Sequence, residues 1–285
     1  MWTAMKAAII IPVHNRREVT LRCLRHLKGL GLQENFRVVV VDDGSADGTS
    51  RAISAEFPEI VLLQGDGELY WTGAMLLGMQ RSLKIGAKFL FWLNDDCLPE
   101  PGCLERMLEY LQMNPRSVCG ASCFTEASLV PVKTAFRGRT DFSAFGNSVT
   151  EVQGLSGYCV GIPAQLCSEI GLPNAKRLPH YAGDTIYTLR AYRKGYRVVL
   201  LADAKACLLD KHDQSGFKER AQASRYGRGK FIRKTFFEKK SMYYLRGQYW
   251  YHSYKYGFPV GAIYFLCKLL RWSFLTGRYA GQRQS

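Results

Sequence analysis

A chain of 285 residues with 47% hydrophobic and 22% charged side chains has the composition of a folded globular protein, which excludes a disordered or fibrous one. No apolar run approaches the roughly 18 residues that a membrane-spanning helix needs, and nine cysteines without a CxxC pair argue against a disulfide framework or a zinc knuckle. The formal charge of +15 is unevenly placed: residues 205–285 hold 17 Lys+Arg against 4 Asp+Glu, which points to a polyanionic surface, either anionic lipid or nucleic acid.

The first hundred residues alternate two periods. Residues 6–12 and 37–41 are short β-branched apolar runs of the kind buried on both faces of a parallel sheet. The first of them, next to the N-terminus, reads as a strand and not as a secretory signal. Between them, residues 17–28 bring Val19, Leu21, Leu24 and Leu27 near helical spacing, with Gly29 and Gly31 as stop signals. Helices over 49–57, 73–85 and 101–112 and strands over 60–64 and 88–93 continue the alternation. The pattern predicts an α/β fold with a doubly wound sheet and right-handed crossovers, in which ligands collect beyond the carboxyl ends of the strands.

From 117 to 152 the pattern weakens into short strands and loops. An extended stretch over 155–163, helices over 164–170 and 184–194, and a strand over 197–201 follow. From 226 to 279 the chain interleaves Lys and Arg with Phe, Tyr and Trp. Apolar residues nearly fill 258–275, interrupted by Lys268 and Arg271, which share a helical face opposite Leu266, Leu269 and Leu270. That is the pattern of a helix lying in a membrane interface; helices packed back on the rest of the chain are the alternative, and both can hold for different faces.

Two strand ends are acidic. The second strand ends in Asp42-Asp43-Gly44-Ser45, where carboxylates can accept hydrogen bonds from the base and ribose of a nucleotide. Asx-turn and N-cap chemistry is the plain alternative, and it suits Asp47 and Thr49. An EF-hand reading fails because Ser54 stands where a bidentate Glu is required. The fourth strand ends in Asn94-Asp95-Asp96, oxygen ligands suited to Mg²⁺ or Mn²⁺ that also holds phosphates, or else an exposed acidic turn before Pro99. Neither a Gly-x-Gly-x-x-Gly nor a Walker lysine follows the first strand, which argues against a hydride-transferring dehydrogenase and a P-loop NTPase.

Residues 9–15 (IIIPVHN), 41–45 (VDDGS) and 93–96 (LNDD), followed by 157–163 (GYCVGIP), Gly183-Asp184, Leu189-Arg190 and Gly195-Tyr196, resemble family 2 glycosyltransferases of the GT-A fold over about residues 6–212. Residues 68–73 (ELYWTG) are similar to a bacterial rhamnosyltransferase-like subset. The resemblance implies a GT-A-type, Rossmann-like doubly wound mixed sheet over 1–212, with a nucleotide-sugar-binding half over about 1–115 and an acceptor-binding half over about 116–212. A basic, aromatic helical appendage over 213–285 would follow. It further implies that Pro12, Asn15, Asp42, Asp43 and Asp95 surround the donor nucleotide, and that Asp96 and His212 bind a divalent metal, Mg or Mn. Asp184 would be the catalytic base, with Trp71 and Gly73 beside the sugar. Asn94 replaces the first Asp of the family's Asp-x-Asp, and Gly183 replaces the Glu that often precedes the base.

The implied activity is inverting transfer from a nucleotide-diphosphate sugar to a hydroxyl of a glycan or lipid-linked acceptor in cell-surface polysaccharide synthesis. A single base with no enzyme nucleophile gives in-line displacement, and the diphosphate leaving group must be stabilised. The implied setting is cytoplasmic, at the inner face of the cell membrane, without nucleic acid. Plain alternatives are an N-cap for Asp184, a surface histidine for His212 and a core side chain for Trp71. Rival functions are a nucleotidyltransferase, which would want a basic Gly-rich loop after the first strand, and a non-catalytic sugar-nucleotide binder, favoured by Asn94 and Gly183. A basic nucleic-acid-binding protein has only the tail charge behind it.

Overall fold

The computed structural model describes residues 7–32, 35–126, 128, 130–144, 146, 148–209 and 216–280. Its first half follows the two sequence periods: β1 (Ala7–Val13), α1 (Arg17–Gly29), β2 (Phe36–Asp42), α2 (Thr49–Glu56), β3 (Val61–Gln64), α3 (Tyr70–Lys84) and β4 (Phe89–Leu93). A short strand β5 (Cys97–Pro99) that the sequence pattern does not predict precedes α4 (Cys103–Met113). Then come β6 (Ser117–Thr125), β7 (Ala135–Arg137), β8 (Thr140–Phe142), β9 (Val149–Val152), β10 (Gly154–Leu155), β11 (Cys159–Pro163), α5 (Ala164–Ile170), α6 (Gly183–Arg193) and β12 (Arg197–Leu208). The chain continues as α7 (Phe217–Gln222), α8 (Arg228–Ile232), a π-helical turn (Arg233–Phe237), α9 (Leu245–Tyr256) and α10 (Val260–Tyr279).

The main sheet runs β3-β2-β1-β4-β11-β6-β12-β5, with β9 also pairing to β12. β3, β2, β1 and β4 are parallel, β11 is antiparallel to both neighbours, and β6 and β12 are again parallel. Alternation along each strand divides the core into two layers. Ile9, Ile11, Val40 and Leu93 face one layer, with Leu21, Leu24 and Leu27 of α1 and Met107 and Leu111 of α4. Ala8, Ile10, Val39 and Trp92 face the other, with Met75 and Met79 of α3 and Tyr187 of α6. Helices on both faces of a parallel-dominated sheet are the doubly wound, mixed α/β architecture that the apolar runs predict.

The differences have local causes. The extended stretch expected over 155–163 is two strands, β10 and β11, separated by a turn that carries Ser156, Gly157 and Tyr158 to the cavity described below. β12 runs seven residues past the expected end at 201. Asp203 and Lys205 point to solvent while Ala202, Ala204, Ala206 and Leu208 stay buried, so the charges mark one face of a strand and not its end. α3 begins at Tyr70, before Gly73, because the Asp43 carboxylate accepts the N–H groups of Gly67 (2.8 Å), Leu69 (3.2 Å) and Tyr70 (2.9 Å) at its N-terminus. This cap comes from a residue far upstream in the chain.

The C-terminal helices do pack back on the sheet domain, through α9. Arg177 lies over the Trp250 ring at 3.8 Å and donates to the Tyr254 hydroxyl at 2.6 Å, and Lys255 sits over Phe136 at 4.3 Å. α7, α8, the π-helical turn and α10 close around their own aromatic cluster of Phe217, Phe231, Phe236 and Trp272.

Candidate active site

The carboxyl ends of β1, β2 and β4 open into a cavity of about 740 Å³. Pro12, Asp43, Trp71, Asp95, Asp96 and Asp184 line it, so six of the ten residues singled out from the sequence converge. Asp42, Asn15 and Gly73 do not line it. Asp42 is fully buried, its carboxylate accepting the Ser45 N–H (3.0 Å) and the Ser50 hydroxyl. Asn15, at φ +52°, accepts the Ala46 N–H through Oδ1 (2.7 Å) and donates its own N–H to Ser45 Oγ (2.8 Å), which ties the β1–α1 loop to the β2–α2 loop. Gly73 faces a second cavity of about 510 Å³ beside the start of α3. His212 lies outside the described residues.

At the carboxyl end of β2, Asp43 is 4% exposed, and the three amides at the start of α3 already occupy its carboxylate. His14 donates through Nδ1 to the Asp43 carbonyl (2.6 Å). Arg16 stands beside the acidic turn, its Nη1 3.4 Å from Asp95 Oδ1 and 3.1 Å from Asp96 Oδ2. Asp95 is further fixed by the Thr20 hydroxyl (2.9 Å). Asn94 accepts the Trp71 indole N–H at 2.8 Å, and the Trp71 ring meets Trp92 edge-on at 5.5 Å. Trp71 is therefore a strut beneath the Asn94–Asp96 turn as well as part of the cavity wall.

Asp96 decides whether a divalent ion fits. Its Oδ1 is buried without a hydrogen-bond partner, whereas Asn94 Oδ1 is taken by Trp71 and Asp95 by Thr20 and Arg16. Among the described residues no three His, Cys, Asp or Glu side chains converge as a cage. Mg²⁺ and Mn²⁺ sites commonly use one or two carboxylates plus substrate phosphates and water. The residues fit an ion that a diphosphate helps to hold, and do not fit one held by protein alone.

Across the cavity, Asp184 sits in the first turn of α6. Its Oδ2 accepts the Gly157 N–H (2.6 Å), and its Oδ1 accepts the N–H (2.6 Å) and hydroxyl (3.1 Å) of Thr185. Burial raises its pKa above the ordinary carboxylate value, and these hydrogen bonds only partly offset the shift. Two glycines are steric requirements here. A Cβ on Gly157 would lie 2.5 Å from the Trp71 ring, and one on Gly183 would overlap the Thr72 side chain. The crossing of α3 and α6 thus leaves no room at 183 for a Glu side chain.

Sequence reasoning missed several wall residues. His180 precedes α6 with its Nδ1 buried and unpartnered; burial, helped by the charge of Lys240, lowers its pKa to about 4 and keeps the ring neutral. Tyr158 and Tyr181 also face the cavity, as do Lys240, Met242, Gln248 and Tyr251 from the C-terminal segment. His180 and Tyr181 lie within a few residues of Asp184, which was a usable signal, as was the place of Arg16 directly after the His14-Asn15 motif. Nothing in the pattern of 240–251 pointed to the cavity.

A parallel-dominated sheet with an antiparallel strand inserted beside β4 and an acidic turn at its carboxyl edge is the GT-A architecture. A crystal structure of GalNAc-T7 with UDP, GalNAc and Mn²⁺ superposes at a TM-score of 0.58, with 12% identity over 98% of this chain and 56% of that one. Staphylococcus aureus TarS 1–349 in complex with UDP-GlcNAc superposes at 0.57, with 14% identity over 95% of this chain and 73% of that one. At such identities the likeness is one of fold. The sequence profile of Glycosyl transferase family 2 matches residues 8–157, over half of the chain, and the chain belongs to that family. A stretch of 103 residues is 31% identical to glycosyltransferase AglE of Haloferax volcanii; it covers 35% of this chain and only 33% of that protein.

Proposed function

We propose that the protein transfers a sugar from a nucleotide-diphosphate sugar to a hydroxyl of a glycan or lipid-linked acceptor, with inversion at the anomeric carbon, in the assembly of a cell-surface polysaccharide. The supporting observation is that one cavity holds a desolvated carboxylate, Asp184, opposite a cation-bearing carboxylate turn, Arg16 with Asp95 and Asp96. Family membership, and the UDP and UDP-GlcNAc held by fold neighbours, support a nucleotide-sugar donor.

In this reading residues 1–115 hold the donor, residues 116–212 with the C-terminal segment shape the acceptor side, and the enzyme works at the inner face of the cell membrane. Pro12 borders the nucleoside, Asp43 lines the same wall with a carboxylate that also anchors the start of α3, and Asp42 and Asn15 act by fixing the two loops around it. Asp184 takes the proton of the acceptor hydroxyl, and its raised pKa makes it a better base than an exposed carboxylate. Arg16 places positive charge beside the departing diphosphate. A divalent cation at Asp96 Oδ1 would add charge neutralisation there. Neutral His180 and the faces of Trp71 and Tyr251 offer hydrogen-bonding and stacking surface to sugar rings.

The test is calorimetric binding of a panel of nucleoside diphosphates, with and without Mn²⁺, to wild type, Asp43→Ala and Asp96→Ala. Metal-enhanced binding of one nucleotide, weakened in both variants, supports the donor site and identifies the base. Absence of binding by folded protein removes it.

A further inference from the structure

Helix α10 is docked along one side only. Gly261, Trp272 and Thr276 are buried; Trp272 stacks on Phe217 at 6.0 Å, and a side chain at Gly261 would overlap the His252 backbone of α9. On the other side Ile263, Leu266, Leu270 and Phe274 are 55–72% exposed, and Phe258 and Val260 stand exposed at the helix entry. Spacings of three and four residues put these side chains on one stripe about 20 Å long. Scattered exposed apolar residues are ordinary, but a continuous stripe of this size marks a docking surface.

Charge identifies the occupant. Residues 239–285 carry eight Lys+Arg and no Asp or Glu. Arg271 and Arg278 are exposed beside the stripe, and Lys268 stands over the Tyr264 ring at 5.8 Å. A second copy on this face would oppose two α10 helices that are both cationic and carry no acid. An anionic bilayer supplies both an apolar layer and countercharge. No helix among the described residues is long and apolar enough to cross a membrane.

We propose that α10 lies flat in the interface of an anionic membrane, with Ile263, Leu266, Leu270 and Phe274 immersed and Lys268, Arg271 and Arg278 among the headgroups. This goes beyond the reading of the reaction and does not depend on it. It also relates the membrane to the cavity: Tyr249 and His252 of α9 pack on Phe265 and Tyr264 of α10, while Gln248 and Tyr251 of the same helix line the cavity. One helix separates the docking face from the site, so a hydroxyl carried on a membrane lipid would approach from that side.

The test is co-sedimentation of the full chain with phosphatidylcholine vesicles and with vesicles in which phosphatidylglycerol replaces part of the phosphatidylcholine. Binding to the anionic vesicles only, weakened by salt and reduced about tenfold or more by Leu270→Glu or Phe274→Glu, is the expected result. Cys267, the one exposed cysteine, lies within the stripe and gives a second readout without a core substitution. A polarity-sensitive fluorophore on it should report an apolar environment with anionic vesicles and none with neutral ones. Equal binding to both vesicle types, binding unchanged by the substitutions, or a fluorophore that stays in water overturns the proposal. So does a vesicle-indifferent dimer that Leu270→Glu dissociates, or oligonucleotide binding without vesicle binding.

Discussion

Replacing Asp184 by Asn separates two roles, base and a tie between α6 and Gly157, because the substitution keeps the shape and removes the proton acceptor. As a base, its loss should lower kcat by about 10²–10⁴, which is about 3–5 kcal/mol of barrier. The stability cost is smaller. The Asn oxygen can keep the Thr185 contacts, but its amide then faces the Gly157 N–H, donor against donor, at about 1–3 kcal/mol. Relief of a buried charge opposes that cost. Because burial raises the folded pKa of Asp184 above the unfolded value, its contribution to stability is full below the unfolded pKa and lost as pH rises through the folded one. The Asp184→Asn variant should therefore gain on wild type as pH rises through that window, and it should remain folded at neutral pH.

The assay is release of nucleoside diphosphate at saturating donor, with donor affinity measured separately. Wild-type kcat should fall on acidification through a pKa above the ordinary carboxylate range. Asp184→Asn should bind donor normally, turn over slowly and lack that acid limb. A variant that keeps more than about a tenth of wild-type kcat, where a missing base should leave far less, with the acid limb in place would refute the assignment and leave Asp184 as a structural tie to Gly157.

Three other predictions concern separate parts of the molecule. Gly183→Ala should destabilise by about 1–3 kcal/mol through overlap with Thr72, and Thr72→Ala should recover much of it; additive losses in urea unfolding would show that the helix crossing is not what constrains position 183. With EDTA present, residual nucleoside diphosphate binding should depend on Arg16, the cation beside Asp95 and Asp96, so Arg16→Gln should abolish what chelation leaves; unchanged metal-free binding would rule that role out. His252 is buried with both ring nitrogens unpartnered, and burial lowers its pKa to about 4. With the folded pKa below the unfolded one, stability present above about pH 6.5 is lost as pH falls toward 4, by about 2–3 kcal/mol, and His252→Phe should flatten that slope in thermal melts. His180, lowered to about 4 as well, leaves a remainder of similar size. An unaltered slope would show that His252 is not buried as a neutral ring.

The sheet was legible because its inner strands are buried on both faces, so β1, β2 and β4 appear as uninterrupted apolar runs, and the carboxylates stand out where those runs stop. Whether a carboxylate faces a ligand or its own backbone was not legible. Asp42 and Asp43 are adjacent and chemically identical, yet one turns to Ser45 and Ser50 and the other to amides beyond residue 66. That choice depends on loop geometry that no local period encodes. Gly183 shows the same limit: the residue that makes it necessary is Thr72, over a hundred positions away.

The largest gap in the sequence reading is the C-terminal segment, which the pattern marked as a membrane-interface helix or as helices packed back on the rest of the chain, with no sign that part of it lines the cavity. One helix cannot be read as a single face. The 3.6-residue period lets Gln248 and Tyr251 of α9 look into the cavity while Tyr249 and His252 hold α10, whose far side carries the exposed stripe. Aromatic side chains serve all three surfaces, so composition alone could not separate them. The arrangement carries a mechanical consequence: whatever moves α10 moves a wall of the cavity that contains Asp184. A membrane that orders α10 should therefore also order Gln248 and Tyr251, and turnover, if it depends on that wall, should rise with anionic vesicles even for an acceptor free in solution.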